Sequence, residues 1–202
     1  VDARDDADNT LICLFSDHGD HMGDHRAWQK ESFFDVSCRV PFLLSWPERL
    51  KQDQRREELV GLQDLFGIAT AASGDAEIRD GIDVLAMLEG SADQREAIFC
   101  YYGPPGEPLF KVMVRRGAWK YIYMANGGRQ QLFNVEQDPA EICQRLDDEP
   151  EIAAQLRRLA EIQLAKPETA AALEEDGGLR AFPFAARPLK RIYQFDRSRG
   201  VS

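Results

Sequence analysis

The sequence lacks a run of about 20 apolar residues, which is the length that a membrane-spanning helix needs, and none of its four cysteines forms a CxxC pair. The first absence argues against a membrane protein, and the second argues against a redox or zinc motif of the CxxC kind. Three of the cysteines lie in apolar stretches, where a buried reduced thiol is the commonest explanation. We therefore expect a protein without a membrane span and without disulfides.

Basic residues are in the minority, with 25 Lys and Arg against 35 Asp and Glu, a formal net charge of -10 and a pI near 4.8. This balance excludes nucleic acid as the main partner, because a phosphate backbone requires a positively charged surface. An anionic substrate would need local positive charge from a metal, from Lys30 or from nearby arginines. No secretory signal is recognisable, which favours a cytoplasmic over a periplasmic location.

Histidine is scarce, and its distribution is informative. The chain has three histidines, all within the run SDHGDHMGDH that extends from Ser16 to His25 and also holds three aspartates. Imidazole and carboxylate are the usual protein ligands for divalent metals, and the glycines of the run allow a tight backbone. The run therefore predicts a metal-centred site. The alternative is a solvated acidic loop.

The residues before this run indicate how its side chains are presented. Residues 11–15 form an uninterrupted apolar stretch, which is typical of a strand buried on both faces in a largely parallel sheet. Asp17 and His18 would then lie at the C-terminal end of that strand, where α/β sheets bind ligands. Residues 40–44 predict a neighbouring strand, and residues 28–35 leave room for a turn or a short helix.

The middle of the chain predicts short helices and an exposed connection. Residues 51–58, KQDQRREE, include no apolar residue and should be solvent-exposed. Apolar residues recur at helical spacing over residues 60–69 and 82–88, and Gly74 and Gly90 mark the ends of these segments. We expect both helices to be packing elements rather than cofactor-binding elements.

From residue 96 the pattern changes to short apolar or alternating runs separated by turn residues. This change predicts a small antiparallel meander. The predicted strands cover residues 97–102, 110–114, 119–124 and 131–135.

The last part of the chain predicts a helix and an arm. A helical region is expected to begin at Asp138 and Pro139, and its amphipathic part, residues 152–164, could cover one face of the meander. The tail contains two prolines and several aromatic residues. We expect it to be an extended arm that packs on the body of the protein or on another subunit of a homo-oligomer.

The run SDHGDHMGDHRAWQKESFFDVSCRVPFLL resembles the second metal-binding segment of sulfatases in the alkaline phosphatase superfamily, which is close to SDHGDMLGDHGLWQK followed by RVP. Three further segments are similar to that family in the same order. They are LVGLQDLFGIATAASG, IRDGIDVLAMLEG and VRRGAWKYIYMANGGRQQLFNVEQDPAEICQRL. The resemblance extends to about residue 164.

The resemblance implies an α/β fold. Residues 1–95 would form the C-terminal part of an alkaline-phosphatase-like mixed sheet with flanking helices in the catalytic domain. Residues 96–165 would form a small α+β subdomain made of the meander and its helix, and residues 166–202 would form the arm.

The resemblance also implies roles for particular residues. Asp17 and His18 match ligands of the divalent cation, which is calcium by the habit of the family and manganese as the alternative. Lys30 matches the lysine that contacts the sulfate oxygens, and His25 matches a frequent histidine of the site that neighbours a ligand or orients one. His21 occupies a position where the family usually has methionine, so we expect no role for it.

Two features of the family pattern are missing. Sulfatases carry a cysteine or serine in a CxPxR or SxPxR context that is converted to the formylglycine nucleophile, and no such context occurs here. The paired aspartates that complete the metal site of the family are missing too, and two ligands cannot fix a catalytic metal. We therefore expect these residues to be the C-terminal portion of a longer enzyme, inactive alone, with exposed apolar sheet edges and a tendency to self-associate.

Three functions remain open at this point. The resemblance implies a hydrolase of small sulfate esters. His18, where asparagine is common, also resembles phosphonate monoester and phosphodiester hydrolases of the same superfamily, and choline-sulfatase-like members of the family. The third function is a non-catalytic interaction module that keeps a degenerate site.

Overall fold

The computed structural model describes residues 3–75, 77 and 79–186. They form six strands, four α-helices and three short 3-10 helices, in two groups that follow one another along the chain. The first group holds β1 (Ile12–Phe15), α1 (Asp35–Cys38), β2 (Phe42–Ser45), α2 (Leu65–Ala72) and α3 (Val84–Glu89). The second group holds β3 (Ile98–Tyr102), β4 (Lys111–Arg116), β5 (Trp119–Met124), β6 (Arg129–Asn134) and α4 (Pro150–Leu164). The 3-10 helices are Asp24–Arg26, Leu62–Asp64 and Ala170–Ala172.

Strands β1 and β2 pair antiparallel, with Cys13 opposite Leu44 and Leu14 opposite Leu43. One face of this pair contributes Phe42 and Leu44 to a cluster with residues of α2 and α3. On the other face, Leu14 and Leu43 are 58% and 57% exposed. The prediction that β1 is buried on both faces in a largely parallel sheet is therefore wrong for the described residues. The reason is that β1 has one neighbouring strand and helices on one face only.

The helices of the first group agree with the predicted segments. A 3-10 turn at Leu62–Asp64 leads into α2, which ends at Ala72, and α3 ends at Gly90 in the left-handed conformation. Asp83 caps α3 by accepting a hydrogen bond from the backbone NH of Ala86. No helix in the described part of the chain is long and apolar enough to span a membrane.

Strands β3 to β6 form an antiparallel meander in chain order, as predicted. The turn between β5 and β6 contains Gly127 and Gly128, both with positive φ, which explains the choice of glycine at this tight connection. Alternate side chains of the strands point to opposite faces, so the sheet contributes to two separate cores.

Helix α4 covers one face of the meander. Leu156, Ala160 and Leu164 of the helix pack in one core with side chains such as Val112 and Tyr121 of the sheet. The other face, which includes Met113, Ile122 and Phe133, packs against Phe33 and Phe34 from the first group of elements. The meander is therefore the layer between α4 and the segment that precedes α1.

The predicted start of this helix at Asp138 is wrong, because α4 begins at Pro150. Asp138 instead forms a turn, in which its carboxylate accepts a hydrogen bond from the backbone NH of Cys143. Such local side-chain bonds compete with helix formation. Pro150 occupies the first turn of α4, where proline is well tolerated.

The described part of the predicted arm packs on the body. The backbone of Phe182 bonds with Ala125 and Gly127 at the turn between β5 and β6, and Leu179 is buried. The carbonyls of Leu179 and Arg180 accept hydrogen bonds from the hydroxyl of Tyr123. Residues 187–202, the rest of the predicted arm, lie outside the described residues. The division of the chain after residues 95 and 165 stays a prediction.

Candidate active site

Three of the predicted site residues lie together just after β1. His18 Nε2 is 3.3 Å from Asp17 Oδ2 and 2.5 Å from Lys30 Nζ. The side chains of Asp17 and His18 are 78% and 35% exposed, so the group is open to solvent. The structure thus brings Lys30 to the predicted metal ligands, although it is twelve positions from His18 in the sequence.

The contact of the other ring nitrogen of His18 favours one tautomer of the neutral imidazole. His18 Nδ1 lies 2.8 Å from the carbonyl oxygen of Gly19, and an oxygen acceptor requires that Nδ1 carry the proton. In the neutral ring, Nε2 then keeps its lone pair and accepts a hydrogen bond from the Lys30 ammonium. A metal would need this same lone pair, and a hydrogen bond from the remote nitrogen to a carbonyl is typical of metal-binding histidines.

The loop that joins His18 to Lys30 is held by its own polar groups. Asp20 Oδ1 accepts hydrogen bonds from the backbone NH groups of Met22 and Gln29, and the carbonyl of Gln29 accepts one from the NH of His21. Gln29 has a φ of 68°, an uncommon conformation for a residue with a side chain. These bonds fix the residue directly before Lys30.

Gly19 is the point at which this loop meets α1. Its NH donates to the carbonyl of Ser37 over 2.9 Å. A Cβ atom at this position would lie 2.1 Å from the carbonyl oxygen of Val36, so glycine is required by the close approach of the two backbones. The start of the site loop is therefore anchored to α1.

His21 has a structural role that the sequence did not indicate. It is 1% exposed, its Nε2 lies 2.6 Å from Ser32 Oγ, and its Nδ1 lies 3.0 Å from the carbonyl of Asp24. The side chain thus joins the two halves of the loop from inside. The partner Ser32 is eleven residues away, and no local pattern signals such a bond.

We expect His21→Ala to lower the free energy of unfolding by about 1–3 kcal/mol, because it leaves buried partners without a hydrogen bond. The measurement is chemical denaturation of the 202-residue chain. Met22→Ala is the matched control, since Met22 is adjacent and 77% exposed. Equal stability of the two variants would contradict a bracing role for His21.

His25 lies beside this group of residues. Its ring stacks on Phe34 with centroids 3.8 Å apart, and it meets His21 edge-on at 5.9 Å. Among the described residues it has no hydrogen bond to His18 or Lys30. Its place in the site as a catalytic or orienting residue stays a prediction. Arg39 pairs with Asp35, its Nη1 lying 3.7 Å from Asp35 Oδ2.

Three of the four cysteines are poor nucleophiles because they are buried or partly buried. Burial raises the pKa of Cys38 to about 12, and burial likewise raises the pKa values of Cys13 and Cys100. The thiolate, which is the reactive form, is therefore disfavoured at these three positions. All four cysteines are free thiols in the structure.

The donors present fit a divalent cation but do not complete a site. A carboxylate oxygen and an imidazole nitrogen 3.3 Å apart can bind the same ion. Within residues 3–75, 77 and 79–186, however, no three His, Cys, Asp or Glu side chains are grouped so that they could hold a metal. Asp17 and His18 would therefore need further ligands.

The geometry brings a carboxylate, an imidazole and an ammonium together at the end of a strand, on an α/β framework with an appended meander. The family model named Sulfatase matches residues 1–74. The choline-sulfatase of Rhizobium meliloti (strain 1021) is 34% identical over 143 residues, which are 67% of this chain and 27% of that protein. The chain belongs to the sulfatase family.

Solved structures share the fold. A 2-O glycosaminoglycan sulfatase matches 81% of this chain and 38% of its own, with a TM-score of 0.71 and 24% identity. The phosphonate monoester hydrolase of Agrobacterium radiobacter matches 87% of this chain and 40% of its own, with a TM-score of 0.65 and 24% identity. The chain thus spans well under half the length of the proteins it matches.

Proposed function

We propose that this chain supplies part of the active site of a metal-dependent sulfuric ester hydrolase that acts on a small sulfate ester. Asp17 and His18 bind the cation, and Lys30 contacts the sulfate oxygens. The observation that carries the proposal is the convergence of Lys30 Nζ and Asp17 Oδ2 on His18 Nε2. Membership of the sulfatase family supports it.

The chemistry of these residues suits a sulfate group. The Lys30 ammonium can donate hydrogen bonds to sulfate oxygens and neutralise the negative charge that grows on them in the transition state. Asp17 and His18 stay in place because their backbone precedes the anchored Gly19. The net charge of the protein is negative, so this local positive charge is needed to attract an anion.

We propose calcium as the bound cation, with manganese as the alternative. A carboxylate oxygen suits both ions, and the imidazole nitrogen is tolerated by both. When bound, the cation would polarise a sulfate oxygen. The remaining ligands, and a formylglycine nucleophile, would come from residues outside these 202.

A phosphonate monoester hydrolase is the second candidate. His18 at the ligand position resembles that class as well as choline-sulfatase-like members, and the fold shared with the Agrobacterium radiobacter enzyme supports keeping this candidate. Sulfate and phosphonate esters both present a tetrahedral anion, so Asp17, His18 and Lys30 would act on either. The selective groups would lie elsewhere in the enzyme.

The test is an activity panel on the full-length gene product, with metal analysis of the same preparation. Hydrolysis of an aryl sulfate well above that of a phenyl phosphonate ester would support the sulfatase proposal. The reverse preference would support the second candidate. A metal-free protein without activity on either ester would favour a non-catalytic interaction module.

We expect the 202-residue chain alone to show no turnover of an aryl sulfate ester, because it provides two metal ligands and no activated nucleophile. The measurement is release of the phenol at millimolar ester and calcium. The buffer with calcium alone is the blank. Clear hydrolysis that disappears in Lys30→Ala would overturn the proposed division of the active site.

A further inference from the structure

Three charged side chains from the second group of elements bind the backbone directly after Lys30. Lys111 Nζ donates to the carbonyl of Glu31 over 2.8 Å, and Lys120 Nζ donates to the carbonyl of Phe33 over 3.0 Å. Glu141 Oε2 accepts a hydrogen bond from the backbone NH of Asp35. We call Lys111, Lys120 and Glu141 the backbone clamp. The clamp binds alternate residues of one short segment, residues 31–35.

Two members of the clamp are fully buried. Lys120 is 1% exposed and Glu141 is 2% exposed, and Lys120 Nζ lies 2.8 Å from Glu141 Oε1. Lys120 also pairs with the side chain of Asp35, at the end of the clamped segment. Burial alone lowers the pKa of Lys120, but nearby groups more than compensate, so its pKa is raised. We attribute the rise to Glu141 and Asp35, because the Cys38 thiol is neutral at ordinary pH.

Such a buried group of charges is a poor source of stability. The free energy needed to remove the charges from water is close to the free energy gained from their attraction. A well-packed apolar cluster of similar volume often stabilises a fold equally well. Charged partners do, however, discriminate between registers. A shift of residues 31–35 by one position would carry the Asp35 side chain away from Lys120, and the buried ammonium would lose one of its carboxylate partners. The clamp therefore specifies where this segment lies.

Lys111 extends the clamp toward the open site. It begins β4, and its ammonium lies 4.9 Å from the ring centre of Tyr102, its cross-strand partner in β3. The ring and the sheet thus direct Lys111 toward Glu31, the residue that follows Lys30. The loop bonds described above fix Gln29 on the other side. The backbone is therefore fixed on both sides of Lys30, at Gln29 by the loop and at Glu31 by Lys111 of the meander.

We propose that Lys111, Lys120 and Glu141 are positioning residues, which place Lys30 against His18 by fixing the backbone of residues 31–35. They do not contact the substrate. Their effect on catalysis rests on the function proposed above, whereas their effect on the Lys30 to His18 contact does not. The appended meander is therefore part of how the active site is built.

The first test measures that contact directly in the 202-residue chain. The ring 15N resonances of His18 report the hydrogen bond from Lys30, and Lys30→Ala provides the reference for its loss. We expect Lys111→Met to move the His18 resonances toward the Lys30→Ala values and Lys111→Arg to keep them near wild type. Lys51→Met is the control, since Lys51 is exposed in the segment between β2 and α2. His18 resonances that stay at wild-type values in Lys111→Met would overturn the proposal.

Lys111 is the better probe because it lies at the end of a strand and is not fully buried. Removing Lys120 would leave the buried Glu141 carboxylate without its cation and could unfold the chain for that reason alone. The triple variant Lys120→Met, Asp35→Asn, Glu141→Gln removes all three charges together. If it folds, we expect the same displacement of the His18 resonances.

The second test uses activity of the full-length enzyme. Misplacing a catalytic group by about 1 Å can cost about 100-fold in rate, so we expect Lys111→Met to lower kcat by about 10- to 100-fold. In a Lys30→Ala background the same change should have no further effect. An equal factor in both backgrounds would show that Lys111 does not act through Lys30. If the full-length protein has no activity but Lys111→Met still shifts the His18 resonances as expected, the proposed function is refuted and the positioning role of the backbone clamp is retained.

Discussion

Lys30→Ala in the full-length enzyme is expected to lower kcat/KM for an aryl sulfate by about 100- to 1,000-fold. This is the usual effect of removing one preorganised donor that stabilises charge in the transition state. The ammonium of Lys30 lies 2.5 Å from His18 Nε2 and is exposed, so it can reach an anion bound beside the metal ligands. Steady-state kinetics with the purified variant gives the measurement.

The Lys30 prediction has two controls. Lys51→Ala removes an exposed lysine outside the site and should leave kcat/KM unchanged. Metal content of Lys30→Ala should equal that of the wild type, because Lys30 is not a ligand in the proposal. A Lys30→Ala enzyme that keeps more than a third of wild-type kcat/KM would refute the assigned role.

Asp17→Ala is expected to remove bound metal and activity together from the full-length enzyme. A carboxylate is the principal ligand type for a hard cation, and its loss leaves His18 as the remaining one of the two proposed ligands. Elemental analysis after dialysis, paired with turnover of the same sample, makes the measurement. The activity loss should exceed that of Lys30→Ala, because the metal would be absent altogether.

Asp24→Ala is the matched control for this experiment. Asp24 lies in the same acidic run, but in the structure its carbonyl, rather than its carboxylate, bonds to His21. It should therefore retain both metal and activity. A full metal complement in Asp17→Ala would mean that the ligand assignment is wrong.

Short-range patterns in the sequence were enough to predict much of the fold. The four strands of the meander are consecutive and connected by turn residues, so alternation and turn chemistry locate them closely. The gathering of Asp17, His18 and Lys30 also follows from one continuous motif. Their chemical roles still rest on the resemblance and require the experiments above.

The missed features depend on partners far away in the sequence. Lys120 lies among apolar residues of β5, and nothing local indicates that it is buried against Asp35 and Glu141. His21 looked dispensable because its partner Ser32 is carried by the other half of the loop. The burial of β1 was mispredicted for a related reason, because an apolar run shows that a strand could be covered and does not show what covers it.

The reach of the backbone clamp also has a consequence for the order of folding. Its three bonds join residues that are 80, 87 and 106 positions apart, whereas β3 to β6 pair with their immediate neighbours along the chain. Local pairings form quickly, and contacts that close long loops form slowly. We expect the meander to form first and the segment after Lys30 to attach to it late. During synthesis from the N-terminus, the segment after Lys30 could not attach fully to the meander until Glu141 has emerged from the ribosome.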